Sequence, residues 1–302
     1  MNPAAGGGRA ADFLPALQAF ATRAGWQVEF RLTSSARDLA AQAMNAALEG
    51  HCRFFVLGGD GSFQDLVNAL VQFPEVVLGI LPAGGGNDLA DSLGLPHDPV
   101  RAAELLRMGA VCVMDAVRAR TSDGNERIYT GGGGVGLDAE ASYLAATRFR
   151  KLTGRFRYLL SAAMAFAKTN AISVRVNTLV PDTPIPLLSS KALLLAVLNA
   201  PSYGAGLRFA PGAKTNDGLL DLVLVKELTV FELLWALPLL ILRGEVRSPR
   251  VKRFSIRHIL IETDSPCRFH GDGEILGYTP VELEVLPQAV RVLCPPGSPM
   301  LR

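Results

Sequence analysis

Three glycine-rich stretches fall where an apolar run would hand over to a helix: NPAAGGG at Asn2–Gly8, LGGDGS at Leu57–Ser62 and LPAGGGND at Leu81–Asp88. A repeated strand, glycine loop and helix is the pattern of a parallel α/β sheet, which gathers such loops at the carboxyl edge of its strands. Glycine lets backbone N–H groups come within hydrogen-bonding distance of an anion and tolerates the positive φ that this approach needs. The loops therefore predict a polyphosphate ligand, and kinase chemistry is the first functional reading.

The second loop is the sharpest. An apolar strand over Phe54–Leu57 runs through Gly58, Gly59, Asp60, Gly61 and Ser62 into a helix carrying Leu66, Val67 and Leu70. A carboxylate among phosphate-binding amides repels a nucleotide unless a cation lies between them, so Asp60 implies Mg²⁺ or a proton-transfer role. An Asx turn capping the next helix is the structural alternative. The loop lacks the lysine of GxxxxGK[ST] and is not a Walker loop, and the missing GxGxxG weakens a dinucleotide-dehydrogenase reading.

Far downstream, RFHGDGEILG sets Asp272 and Glu274 two residues apart, on one face of an extended chain, with Gly271 and Gly273 keeping the backbone slim. Such a pair suits a general base for an attacking alcohol, because phosphoryl transfer otherwise needs mainly positioning and charge neutralisation. Asp-Gly is also a common hairpin turn.

Along the first third, helix Ala11–Arg23, strand Gln27–Leu32, a helix capped by Ser34 or Ser35 that runs through Leu48 to Gly50, strand Phe54–Leu57, helix Phe63–Val71, strand Val76–Leu81 and helices Asp88–Leu93 and Pro99–Met108 alternate as α/β. After about Asp115 the pattern changes to short apolar runs at Ile172–Val176, Leu193–Leu198, Leu220–Val225, Ile256–Ile261 and Val281–Val285, separated by Gly, Pro and Asn, which predicts an antiparallel sandwich. The expected fold class is thus α/β plus β. A Rossmann-like nucleotide-binding domain covers 1–116, with the tail 293–302 packing back on it, and a β-sandwich substrate domain covers 117–292. Beyond the glycine tract Gly131–Gly134 there is no repeat or low-complexity segment.

A chain of 302 residues with 49% hydrophobic and 19% charged residues can bury two cores, and its net charge of +2 calls for no polyanion, so nucleic acid is not an expected partner. Cys52, Cys112, Cys267 and Cys294 show no CxxC spacing and read as buried thiols in a reducing compartment. No signal peptide or run of about 20 apolar residues is visible. Leu233–Leu242 is short and holds Pro238, which predicts a buried or interfacial helix. The expected location is cytoplasmic, with peripheral contact at the inner membrane surface. Arg148, Arg150, Lys151, Arg155 and Arg157 precede an apolar run, while Arg243, Arg247, Arg250, Lys252 and Arg253 follow one. Basic beside apolar suits an anionic membrane, although solvated helix faces explain either run as well.

Taken in order, these motifs resemble the diacylglycerol kinase catalytic-domain family, in particular its soluble bacterial lipid kinases, which also resemble sphingosine and ceramide kinases. NPxSG is similar to Asn2–Gly6, GGDGT to Gly58–Ser62, the following ExxN to Asp65 and Asn68, and PxGTxND to Pro82–Asp88. GxDA is similar to Gly136–Ala139, the N and YGGG pattern to Asn199 with Tyr203–Gly206, PxAxxDDGxLD to Pro211–Asp221, and DGE to Asp272–Glu274. GGDG alone is shared with NAD kinases and phosphofructokinases, so the later motifs discriminate. The resemblance implies an ATP-dependent lipid kinase acting on a diacylglycerol-like hydroxyl at the membrane surface, with a homodimer as a possible assembly. It implies that Asn2, Gly58, Gly59, Asp60, Gly61, Ser62, Asp65, Gly84, Gly85, Gly86, Asn87 and Asp88 hold ATP and Mg²⁺. Asp272, Glu274 and Asp60 would be catalytic. It also suggests a separate Mg²⁺ site formed by the Asp217 carboxylate with the carbonyls of Lys214 and Leu219, where an ordinary Asp-Gly turn is the equal alternative.

The chain departs from the pattern at Ala5, Ser62, Asp65, Gly85, Ala205 and Asn216. Ala5 and Gly85 remove two hydroxyls, each worth about 0.5–1.5 kcal/mol of net hydrogen bonding, so weaker ATP affinity is expected. A kinase of a soluble alcohol and a catalytically weak nucleotide-binding regulator are the alternative readings. In the family an apolar strand leads into NPxSG; here Met1-Asn2 opens the chain, so a strand upstream of Met1 is expected.

Overall fold

The computed structural model describes residues 1–3, 5–149, 152, 154–180, 183–201, 209–229, 232 and 250–301. The proposed membrane residues Arg150, Lys151, Arg243 and Arg247, the apolar run Leu233–Leu242 and the motif Tyr203–Gly206 lie outside the described residues. The chain forms two compact units, Met1–Met114 with Gln288–Arg302 and Asp115–Pro287.

The first unit opens with 3₁₀ turns over Ala5–Phe13, then α1 (Leu14–Ala24), α2 (Ala36–Leu48), β1 (Arg53–Gly58), α3 (Asp60–Leu70), β2 (Val77–Pro82), α4 (Asp88–Leu93) and α5 (Pro99–Arg107). Local chemistry sets these boundaries. Ser35 accepts the Asp38 amide and caps α2, and Asp98 caps α5 through the amides of Val100 and Arg101 with Pro99 in the first turn. β1 and β2 pair in parallel from Arg53 opposite Val77 to Gly58 opposite Pro82. The end of β14 (Val281–Cys294) continues the sheet in parallel, Arg291 opposite Val77. Phe63, Val67, Leu70, Ile80, Leu93 and Leu106 form the core between sheet and helices.

Two expectations change here. Helix α3 begins at Asp60 rather than Phe63, so Asp60 belongs to a helical first turn and not to the strand end. Gln27–Leu32 is extended but joins no β-ladder, and Val28, Phe30 and Leu32 are exposed. Its alternation is that of a strand; at its end Met1 donates its amino group to the Arg31 carbonyl, Gln42 Nε2 donates to the Leu32 carbonyl, and the Met1 carbonyl accepts the Thr33 amide.

The second unit is built on antiparallel ladders. It contains most of β3 (Ala110–Thr121), then β4 (Glu126–Tyr129), β5 (Gly132–Gly136), α6 (Leu137–Ala146), α7 (Gly154–Lys168), β6 (Ile172–Leu179), β7 (Pro184–Ala192), β8 (Leu194–Leu198), β9 (Leu220–Val225), β10 (Val251–Ile256), β11 (His258–Thr263), β12 (Arg268–Gly271), β13 (Glu274–Tyr278) and the start of β14. One sheet of six strands runs β10-β9-β8-β5-β12-β13, and the other contains β14-β11-β6-β7. Between them lies one core that includes Val117, Tyr129, Val135, Leu195, Leu222, Ile259, Phe269 and Leu283. The predicted run Ile256–Ile261 is two strands, Ile256 ending β10 and Ile259 entering β11. Cys112 and Cys294 are buried thiols, as expected; Cys52 is exposed and Cys267 half-buried, since neither faces a core. Among the described residues no helix is long and apolar enough to cross a membrane.

Candidate active site

In the first unit the three glycine loops converge backbone to backbone. A Cβ on Gly84 would lie 2.5 Å from the Gly59 Cα, and one on Gly6 would lie 2.3 Å from the Ala83 carbonyl oxygen, so side chains at these positions would force the loops apart. Gly58 has no room either, because Ser62 folds back to 2.8 Å from its would-be Cβ. Hydrogen bonds lace the loops: the Asn2 amide donates to the Leu57 carbonyl at 3.2 Å, the Ala83 amide to the Gly58 carbonyl at 2.8 Å, and Asn2 Nδ2 to Ser62 Oγ at 3.3 Å. Gly6, Gly7 and Gly8 all have positive φ.

Asp60 and Asn87 hold the third loop. Asn87 is buried at φ 62°, where its Oδ1 accepts the Gly84 amide at 3.0 Å and its Nδ2 donates to the Gly84 carbonyl at 3.2 Å. The Asp60 carboxylate accepts the Asp88 amide at 3.2 Å and the Leu89 amide at 3.1 Å, which makes it the cap of α4, 28 residues away, rather than of its own helix. Burial pushes its carboxyl up from the ordinary value, and the amides of Leu89, Asp88 and Asn87 pull it back. Gly85 is exposed, Gly61 and Gly86 are half-buried, and Asp65 sits half-buried one turn into α3.

In the second unit Asp272 occupies a two-residue turn with Gly273, between β12 and β13, at φ 49°. Its Oδ1 accepts the amides of Gly131 and Gly132 at 2.9 and 3.0 Å, and its Oδ2 accepts the Thr130 amide at 2.9 Å with Thr130 Oγ1 at 3.4 Å. Buried Asn199 fixes that cradle by donating Nδ2 to the carbonyls of Thr130 and Asp115 at 2.8 and 2.9 Å. Glu274 lies 3.8 Å from Arg127. The cradle Thr130–Gly132 was legible only as an unexplained glycine tract; glycine is needed there because a Cβ on Gly131 would meet Asp272 Oδ1 at 2.9 Å.

The turn Lys214–Leu219 is exposed at Lys214 and Asp217. Asp217 Oδ1 accepts the Leu219 amide at 3.1 Å, and fully buried Asp115 accepts the Gly218 amide at 2.7 Å. Burial first, and then the charge of Asp217, raise the Asp221 carboxyl, while Ser255 pulls it down. The Asp217 carboxylate and the carbonyls of Lys214 and Leu219 are hard-oxygen donors of the type Mg²⁺ takes. Among the described residues no three His, Cys, Asp or Glu side chains cluster as a metal site.

Residues 1–119 match the diacylglycerol kinase catalytic domain, and residues 133–294 match the YegS C-terminal NAD kinase beta sandwich-like domain. The chain belongs to the YegS-like, diacylglycerol-kinase-related family of lipid kinases. It is 31% identical over 251 residues to "Probable lipid kinase YegS-like" of Klebsiella pneumoniae (strain 342), covering 81% of this chain and 78% of that protein. It is 28% identical over 305 residues to "Lipid kinase YegS" of Escherichia coli (strain K12), covering 98% and 96%. A crystal structure of a diacylglycerol kinase from Bacillus anthracis str. Sterne superposes with a TM-score of 0.68 at 21% identity, over 93% of this chain and 92% of that one, which shows the shared fold.

Proposed function

We propose that this lipid kinase transfers the γ-phosphoryl group of ATP to a hydroxyl of a diacylglycerol-like lipid. The observation that carries the reading is the backbone-to-backbone meeting of Gly59 and Gly84, where the absence of side chains lets a phosphate approach the loop backbone. In the reaction the acceptor oxygen bonds to the γ-phosphorus, the bond from that phosphorus to the bridging oxygen breaks, and ADP leaves. The hydroxyl proton passes to Asp272. Its Oδ2 is the atom suited to this, because the 3.4 Å contact with Thr130 Oγ1 is longer than the amide bonds of 2.9–3.0 Å and is the one a substrate hydroxyl can replace. Mg²⁺ arriving with ATP would offset the phosphate charge. Asn2, Gly58–Ser62, Asp65 and Gly84–Asp88 would hold the nucleotide, with Asp60 shaping the third loop through α4; Glu274 stands two residues from the base, and Lys214, Asp217 and Leu219 would hold a second Mg²⁺ separate from the phosphoryl step.

Docking from the cytoplasmic side of the inner membrane is supported by exposed Leu159 and Leu160 on α7 and by exposed Arg148, Lys252 and Arg253. The missing hydroxyls at Ala5 and Gly85 favour, as a second reading, a catalytically weak nucleotide-binding regulator; within enzymes, a kinase of a soluble alcohol is the alternative. Incubation with γ-labelled ATP and diacylglycerol, sphingoid, phosphatidylglycerol, isoprenoid or soluble alcohols separates these outcomes. Label in a lipid product supports the proposal, and label only in a soluble product or in none overturns it.

A further inference from the structure

Strand β12 carries a histidine that takes no part in the proposed phosphoryl transfer. His270 is fully buried, with its Nε2 3.3 Å from Asp138 Oδ2, and Asp138 lies in the first turn of α6. The surroundings are shaped for this contact. His270 stands opposite Gly134 in the ladder between β12 and β5, and a Cβ on Gly134 would fall 2.4 Å from Asp138 Oδ2. The missing side chain is the space through which the Asp138 carboxylate crosses strand β5 to reach the imidazole. Two further contacts run along the same pair of elements: Arg268 Nη1 meets Glu140 at 2.6 Å, and its guanidinium covers the Tyr143 ring at 4.0 Å.

A shift in pairing lies at the same place. The ladder between β12 and β13 changes register between Phe269 and His270, so that Phe269 faces Gly277 while His270 faces Ile275. Bulges of this kind bend a strand and re-aim the side chains beyond them. Asp272 is the side chain so aimed: it sits two residues past the shift, held at positive φ with its carboxylate in the cradle of the Thr130, Gly131 and Gly132 amides.

We infer that His270 and Asp138 are positioning residues for Asp272: their buried contact clamps strand β12 to helix α6 at the bulge and thereby fixes the turn that aims the Asp272 carboxylate. A histidine matched to a carboxylate inside a sheet-helix interface is costly unless paired, so the contact favours one register and one turn geometry over its neighbours. The kinetic consequence rests on the reading of Asp272 as the proton acceptor; the structural consequence does not.

The test therefore uses both readouts on the full chain. His270→Leu and Asp138→Asn, their double variant, and the conservative His270→Gln are compared by hydrogen exchange and by kinetics. In both single variants the amides of Thr130, Gly131 and Gly132 are expected to exchange at least tenfold faster, while the amides of β8 and β9, in the same sheet, keep their protection. Turnover should fall at least tenfold with ATP affinity within twofold of the parent. The double variant should be no worse than the worse single one, and His270→Gln should recover part of both effects. Unchanged exchange at Thr130–Gly132, or losses that multiply in the double variant, overturns the inference. Should the amides respond while turnover does not, the clamp stands and the role of Asp272 as proton acceptor falls.

Discussion

Replacing Asp272 with asparagine tests chemistry and architecture together, and the structure separates the two contributions. The carboxylate serves three amide donors with two oxygens, Gly131 and Gly132 on one and Thr130 on the other. Asparagine keeps the left-handed backbone at φ 49°, which it tolerates better than most residues, so the turn itself should survive. Its amide can serve only one side. With Oδ1 facing the two glycine amides, Nδ2 confronts the Thr130 amide, donor against donor at about the 2.9 Å now occupied by a hydrogen bond. One charge-assisted bond is lost and one donor is left unpaired; these overlap, and together amount to about 2–3 kcal/mol. For a unit of this size, spanning Asp115–Pro287, that is a fall in melting temperature of roughly 4–12 °C. Asp272→Gly relieves the backbone but removes all three bonds, and should melt no higher than the asparagine variant. Thermal melts by circular dichroism, ATP affinity by calorimetry and single-turnover rates are measured on the same preparations. The expected pattern is a lower melting temperature, near-parental ATP affinity and no turnover. A melting temperature within 1 °C of the parent would refute the cradle, and near-normal turnover would refute the base.

Asp60→Asn should weaken Mg-ATP binding and abolish turnover, because it loosens the start of α4 and with it Gly84–Asp88. Its effect on melting should stay within a few degrees, since losing an acceptor and relieving a desolvated charge oppose each other; calorimetry and melts check both. Gly84→Ala should cost about 1–3 kcal/mol of overpacking and at least tenfold in ATP affinity, and normal affinity would remove the loop contact from the nucleotide site. If Asp217 holds Mg²⁺, Asp217→Ala should erase Mg²⁺-dependent stabilisation measured without nucleotide, and stabilisation that survives puts the ion elsewhere. Replacing Arg148, Arg150 and Lys151 with glutamate should weaken sedimentation with anionic vesicles at low salt, where screening is least, while sparing ATP binding. Equal binding to neutral vesicles would point to a soluble acceptor.

The features read correctly from the sequence are those set by neighbours in the chain. Helix α4 falls at Asp88–Leu93 and strand β9 at Leu220–Val225, as their glycine boundaries and apolar runs dictate. Gln27–Leu32 shows the limit: alternation gives an extended segment, but a ladder also needs a partner strand, which no local pattern supplies. Asp60 shows it again. Its position among glycines marks it as important, yet the amides it serves belong to residues 28 positions away. His270 gave no signal at all, because a lone histidine in an apolar strand acquires meaning only when Asp138 is folded across Gly134.

Asp60 and Asp272 share one device. Each is an acid at the edge of a turn whose charge is absorbed by backbone amides of a distant glycine-rich or helix-opening segment, Asp88-Leu89 for one and Thr130–Gly132 for the other. A carboxylate bound in this way does two things that are separable in principle. It fixes a loop, through donors that asparagine can satisfy only in part, and it presents whatever lone pair is left to a substrate or ion. Loss of turnover in an alanine variant therefore says nothing about which function was lost. For Asp272 the hydroxyl contact on Oδ2 can be removed by itself: Thr130→Val deletes the 3.4 Å contact but keeps the Thr130 amide and the whole cradle. An unaltered melting temperature with altered turnover would locate the chemistry at that oxygen, whereas a change in neither would show the hydroxyl contact to be dispensable and leave the decision to the turnover of Asp272→Asn.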